Sequence, residues 1–161
     1  ALKLDSRNVT AYHNLGSAYK ATGDLDRAME WLQKALVVNV GAKLYEEAAS
    51  DCYMIASVYS KRGDYAAAAR NAEQALAYDK RVENALGVVK DLLALGLIAG
   101  KAGDHASAWD YFRRAHQSAT AQGSRADIRA ALEGLVSSGV PLGKTAEVAR
   151  YRTALDALDS P

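Results

Sequence analysis

The skeleton ATGDLDRAMEWLQKAL at residues 21–36 returns as KRGDYAAAARNAEQAL at 61–76 and as KAGDHASAWDYFRRAH at 101–116. Gly23, Gly63 and Gly103 stand 40 residues apart, and so do Asp24, Asp64 and Asp104. Ala28, Ala68 and Ala108 keep the same interval, as do Ala35, Ala75 and Ala115, and Gly143 falls on the grid. Recurrence at this many positions makes the chain an internal repeat. A unit this short cannot cover its own apolar face, so copies must stack to build a continuous core.

Two helical patterns flank each Gly-Asp pair. Tyr12, Leu15, Gly16 and Tyr19 fall at i, i+3, i+4 and i+7, one face of a helix. Leu25, Ala28, Trp31, Leu32 and Ala35 make a second apolar stripe after it. Gly23 can take the positive φ that ends the first helix, and the Asp24 side chain can cap the second. Gly16, Ala56 and Gly96 lie near the end of each first helix and are expected to face Ala28, Ala68 and Ala108, since helices approach closely only where bulk is missing. First helices are expected near 9–21, 46–61, 86–101 and 126–138, and second helices near 25–38, 65–79, 105–120 and 145–158.

The residues Tyr12, Leu15-Gly16, Tyr19, Ala28, Leu32 and Ala35 resemble the tetratricopeptide repeat (TPR) signature, with Val40 where its Pro would fall. The second copy carries Cys52, Ile55-Ala56, Tyr59, Ala68, Ala72 and Ala75, and the third Leu92, Leu95-Gly96, Ala99, Ala108, Phe112 and Ala115. A fourth, degenerate copy has Leu132, Leu135-Val136, Val148, Arg152 and Leu155. The resemblance implies an all-α fold, an α-solenoid (right-handed superhelix) of about four stacked antiparallel hairpins. It sets repeats at 9–48, 49–88 and 89–128, with residues 1–8 as the tail of an upstream repeat. Residues 129–161 form a degenerate repeat and a C-terminal capping helix. The usual period is 34 residues, and the six extra here are worth roughly 9 Å of helix per unit. This is similar to the long-repeat TPR subclass. The extra residues are expected in 37–48, 77–88 and 117–128.

Ala1-Leu2-Lys3-Leu4-Asp5 resembles the last turn of a second helix whose partner is absent. The expectation is that the natural protein continues upstream and that the uncovered end supports weak self-association. Ser137-Ser138-Gly139-Val140-Pro141 should stop the seventh helix early.

Several function classes drop out. The formal net charge is +1 with no long run of one sign, so no nucleic-acid partner is implied. The longest apolar run, Leu92–Gly100, is less than half a membrane span. Cys52 is the only cysteine, which rules out an internal disulfide and leaves the compartment open, cytoplasmic or periplasmic. Cys52 stands at a position that wants a small packed hydrophobe. His105 and His116 are roughly 16 Å apart along one helix, too far to share a metal. Gly23, Gly63 and Gly103 are explained by helix termination, not by phosphate binding. No catalytic residue, metal site or cofactor is read from the sequence.

What remains is surface. In TPR proteins the first helices line a concave groove. Carried onto this chain, the lining positions are His13, Ser17 and Lys20, then Tyr53, Ser57 and Ser60, then Lys90, Leu93 and Leu97, then Glu133. The TPR class that clamps chaperone C-terminal carboxylates needs Lys and Asn in the first unit, Asn in the second, and Lys and Arg in the third. Only Lys90 fits that set. The groove residues either anchor a peptide or pack on one another if the longer helices close the groove. Lys20, Lys61, Arg62 and Lys101 sit in last turns, where they answer helix dipoles or form a basic ridge for an acidic partner. The function expected is a non-catalytic scaffold for a protein or peptide, of bacterial origin by its Ala-rich repeats. A self-association module and a regulatory TPR domain of a larger multidomain protein are the alternatives.

Overall fold

The computed structural model describes residues 6–159, and among them it has eight α-helices and no strand. They are α1 (Ser6–Thr22), α2 (Leu25–Gly41), α3 (Tyr45–Arg62), α4 (Tyr65–Arg81), α5 (Ala85–Lys101), α6 (His105–Gln122), α7 (Arg125–Gly139) and α8 (Thr145–Asp159). The segment Ala1–Asp5, the helix-end match within the tail expected at 1–8, lies outside the described residues, while Ser6–Asn8 belong to α1. The chain divides into two compact units, 1–84 and 85–161. The first holds the hairpins α1–α2 and α3–α4, and the second α5–α6 and α7–α8.

The turn inside each hairpin follows from its Gly-Asp pair. Gly23, Gly63, Gly103 and Gly143 have φ of 85°, 80°, 81° and 68°. The chain then reverses, so that the amide of Asp24 donates to Tyr19 O (3.0 Å), Asp64 to Tyr59 O (3.1 Å) and Asp104 to Ala99 O (2.9 Å). This is the six-to-one closure that satisfies carbonyls left open at a helix end. The same aspartates cap the next helix, accepting from the amides of Arg27, Ala67 and Ser107. At Asp104 hydrogen bonds from the Ser107 side chain and then from its amide hold the carboxyl below the usual carboxylate range.

A second set of turns joins the hairpins, also 40 residues apart. Lys43 and Glu83 have φ of 60° and 56°, and the third copy has Gly123 at 70°. Here too the following amide reaches back five residues: Leu44 to Asn39 O, Asn84 to Asp79 O and Ser124 to Ala119 O. The extra residues of the long period are therefore mostly helical. They carry α2, α4 and α6 two to three residues past the ends expected from the sequence, because the reversal comes at 43, 83 and 123.

Close packing inside the hairpins departs from the expected pairing of small residues. A Cβ at Gly16 would lie 2.5 Å from the Leu32 side chain and 3.2 Å from Ala28 O. One at Gly96 would lie 2.7 Å from the Phe112 ring, while Ala108 comes within 4.0 Å of the Gly100 position instead. The missing side chain makes room for a large neighbour one turn further on, not for a small one. At the equivalent positions of the second copy, Ala56 and Ala72 are both buried. The small residue grows where the large one shrinks, as a core of fixed volume requires.

In the first unit the core gathers around Ala28, Met29, Leu32, Ile55 and Val58, with Tyr19, Leu25, Leu36, Met54 and Tyr59 packed against it. Tyr45 stacks on Tyr78 with centroids 5.6 Å apart, and the Arg81 guanidinium lies 4.0 Å from the Tyr45 ring centroid. In the second unit Ala108, Phe112 and Leu135 form the centre, bordered by Leu93, Ala99, Trp109 and Tyr151. Ala35, Ala68, Ala75 and Ala115 are fully buried, and Cys52 is buried as well. The helix α8 buries Val148 and ties back to α7 through an Arg129–Asp159 ion pair.

Candidate functional site

In the first unit, α1 presents His13, Ser17 and Lys20 at i, i+4 and i+7, and α3 presents Tyr53, Ser57 and Ser60 at the same spacing. Contacts across the two helices engage several of them. Lys20 Nζ donates to Ser57 Oγ at 3.1 Å and lies 3.6 Å from Met54 Sδ. His13 Nδ1 is 2.7 Å from Asp51 Oδ1. Asp51 is fully buried and its other oxygen accepts from Asn39 Nδ2 at 2.7 Å. A carboxylate can only accept, so the proton on the short contact belongs to His13 Nδ1. Ser17, Tyr53 and Ser60 are half-buried.

Beside this network lies a pocket of about 250 Å³. The first half of α1 supplies Thr10 and His13, the end of α2 supplies Asn39, and the start of α3 supplies Glu47, Ser50 and Asp51. Val9 and Leu44 give it apolar walls. Asn39 is 2% exposed. With its nitrogen committed to Asp51, its Oδ1 is a buried acceptor with no partner among the described residues.

In the second unit the expected lining residues behave differently. Lys90 and Leu97 on α5 are exposed, and Leu97 keeps 59% of its surface. Leu93 is half-buried and packs against the Phe112 cluster, so it divides its surface between core and solvent. Glu133 on α7 is exposed. Leu86, 67% exposed, extends the α5 surface to a stripe of Leu86, Lys90, Leu93 and Leu97 at i, i+4, i+7 and i+11. Among the described residues no group of three or more His, Cys, Asp or Glu is placed to hold a metal ion, and no helix is long and apolar enough to cross a membrane.

The sequence reading missed Asn39, Asp51 and Leu86. Asn39 and Asp79 are 40 residues apart, as are Asp51 and Asp91, and all four are buried. Polar residues recurring on a grid that elsewhere carries buried Ala were the available signal.

Among the described residues, eight helices in hairpins, with turns repeating every 40 residues, define an all-α helical-repeat protein of the α-solenoid class. Tetratricopeptide-repeat family models match residues 9–37, which lie in α1–α2, and 52–86, which lie in α3–α4 and the first residues of α5. No curated protein matches its sequence. Solved structures similar in fold include BtubC from P. vanneervenii, at 18% identity and a TM-score of 0.86 over 94% of this chain and 63% of that one. Aspartyl phosphate phosphatase F from Bacillus subtilis aligns at 14% identity and TM-score 0.88, over 94% of this chain and 40% of that one. A Rap protein complexed with Competence and Sporulation Factor aligns at 15% and 0.83, over 98% and 44%. The chain thus spans between 40% and 63% of the length of these three.

Proposed function

We propose that this chain is a non-catalytic scaffold that binds an extended segment of a partner protein through its first helices. The stripe on α5 carries the reading. A soluble helix normally turns its large aliphatic residues inward, yet Leu86 and Leu97 keep 67% and 59% of their surface in solvent beside Lys90. Rigid helical placement of apolar area next to one cation suits a segment that alternates apolar and acidic residues. Leu97 and the outer part of Leu93 serve as anchors there; Tyr53 offers a separate anchor on the first unit, for a different segment. Lys90 orients the acidic end and makes binding moderately sensitive to salt. One neighbour of this fold was solved in complex with a factor, which supports a binding role for the architecture.

The test pairs capture with stability. Leu97→Ala removes an exposed side chain, so the thermal melt should be unchanged while binding of a captured partner falls by about 2 kcal/mol. Leu93→Ala should lower both, because its side chain also touches the Phe112 cluster. If Leu97→Ala captures the same partners with the same affinity, the α5 stripe is not the binding surface. A mass that rises with concentration, and no longer does in Leu97→Ala, would assign the stripe to a second copy of this chain.

A further inference from the structure

A second helix covers one face of the first helix that follows it. In the first unit Met29 and Leu32 of α2 cluster with Ile55 and Val58 of α3, and Asn39 bonds to Asp51. Asp51, Ile55 and Val58 are at most 2% exposed as a result. In the second unit Phe112 of α6 packs on Leu135 of α7, and Ala131, Leu135 and Ser138 are buried in the same register. The 40-residue grid puts Ala11, Leu15 and Ala18 at these places in α1. All three are exposed, Leu15 with 39% of its surface.

The open face has the spacing of a helix-pairing seam. Asn8, Ala11, Leu15, Ala18 and Thr22 follow one another at intervals of three and four residues, which keeps one stripe against a partner helix. None of them is charged, nor are Tyr12, Asn14, Tyr19 and Ala21 along its flanks. Both flanking rings are fixed by α2. Tyr12 lies against Trp31 with centroids 5.4 Å apart, and Arg27, paired with Asp24, lies 5.4 Å from the Tyr19 centroid.

We infer that this face binds the same face of a second copy of the chain, the two α1 helices running antiparallel across a two-fold axis. Such a contact has to be self-complementary, because every residue pairing occurs twice. Leu15 then lies over the partner's Ala18, and Ala18 under the partner's Leu15, so a large side chain fills the space that a small one leaves. The same register sets Tyr12 beside the partner's Ala21. The alanines let the two axes approach to about 8 Å, the near end of the usual range. An uncharged seam meets its own copy without like-charge repulsion. Open stacking of α8 onto α1 lacks this match. The stripe Leu25, Met29, Leu32 and Leu36 of α2 is replaced in α8 by Thr145, Ala149, Arg152 and Asp156, all exposed. Stacked on α1, Arg152 and Asp156 would lose water against apolar surface. The overlap from Ala11 to Thr22 is about 17 Å of helix. One helix pair of that length buries less than the roughly 1,200 Å² of a stable interface, so the Kd should be on the order of 0.1–1 mM. The seam shares no residue with the α5 stripe.

Sedimentation equilibrium on the whole chain, between about 0.02 and 2 mM, brackets that constant. The average mass should climb towards that of a dimer and no further. Leu15→Glu and Ala18→Lys should each weaken pairing by at least about tenfold, since each buries an unpaired charge twice. Both positions are exposed, so the helical spectrum should be kept; if Leu15→Glu melts early, Ala18→Lys carries the test alone. An equimolar mixture of the two variants should pair again. The new carboxylate then faces the new ammonium across one contact, and the other contact is unchanged. Leu15→Glu mixed with Ala11→Lys should not recover, and Leu97→Ala should pair as the parent chain does. A constant monomer mass, growth past the dimer, or pairing that survives both variants overturns the inference. So does loss of pairing in Leu97→Ala, or recovery with Ala11→Lys in place of Ala18→Lys.

Discussion

Phe112 meets backbone from two helices. A Cβ at Gly96 would come 2.7–2.8 Å from three of its ring atoms, and one at Gly134 would crowd the same ring edge. The ring is 4% exposed and has no open side towards which to retreat. Gly96→Ala therefore sets two known effects against each other. Alanine in a helix interior is worth about 1 kcal/mol over glycine, whereas forcing a methyl into a filled core costs about 1–3 kcal/mol. The net expectation is a loss of about 0–2 kcal/mol. Phe112→Ala alone should cost about 3–5 kcal/mol through the cavity it leaves. In that background the added methyl meets no ring, so Gly96→Ala should stabilise by about 1 kcal/mol. The second copy already holds this combination, with Ala56 and Ala72 both buried. The coupling energy of the pair should thus be about 1–3 kcal/mol, and the helix-propensity contribution cancels from it. Urea unfolding followed by circular dichroism on the four proteins measures it. Additivity to within about 0.5 kcal/mol would show that Gly96 and Phe112 do not share a fixed volume, and the account of hairpin packing would fail.

Two further outcomes follow from the turns and from a half-buried imidazole on α6. Lys43→Gly and Glu83→Gly should each stabilise by about 0.5–1 kcal/mol, since relief of the left-handed backbone outweighs the extra chain entropy of glycine; a lower urea midpoint in either variant would refute it. Burial pushes the His116 imidazole below its ordinary value. The unfolded chain then binds a proton that the folded chain resists, so this contribution to stability is full above about pH 6.5 and is lost as pH falls from there through the folded pKa. His116→Phe, beside Tyr151, should flatten the urea midpoint between about pH 7.5 and 5.5; an unchanged slope would place the dependence elsewhere.

Which features could be read from the chain depends on how local their causes are. Gly23-Asp24 and its copies encode a helix stop and a helix cap in two adjacent residues, so the inner turns and the starts of α2, α4, α6 and α8 were legible. The outer turns were not, because Lys43 and Glu83 adopt a positive φ that their side chains do not announce, and only Gly123 in the third copy marks the position. Packing was half legible. The grid exposed the small residues, but pairing Gly96 with Phe112 needs the 16-residue offset between facing helices, which follows only from where the turn places α6. The pocket was least legible, since His13, Asn39 and Asp51 come from three helices and separations of 38 and 12 residues. Each has an ordinary reading alone: a groove polar residue, a helix-end amide, a helix-start acid. Their meaning appears only when a buried carboxylate is seen to consume the nitrogens of the other two. What that leaves over, a buried carbonyl oxygen with no hydrogen-bond partner among the described residues, is a feature that no single stretch of the sequence expresses.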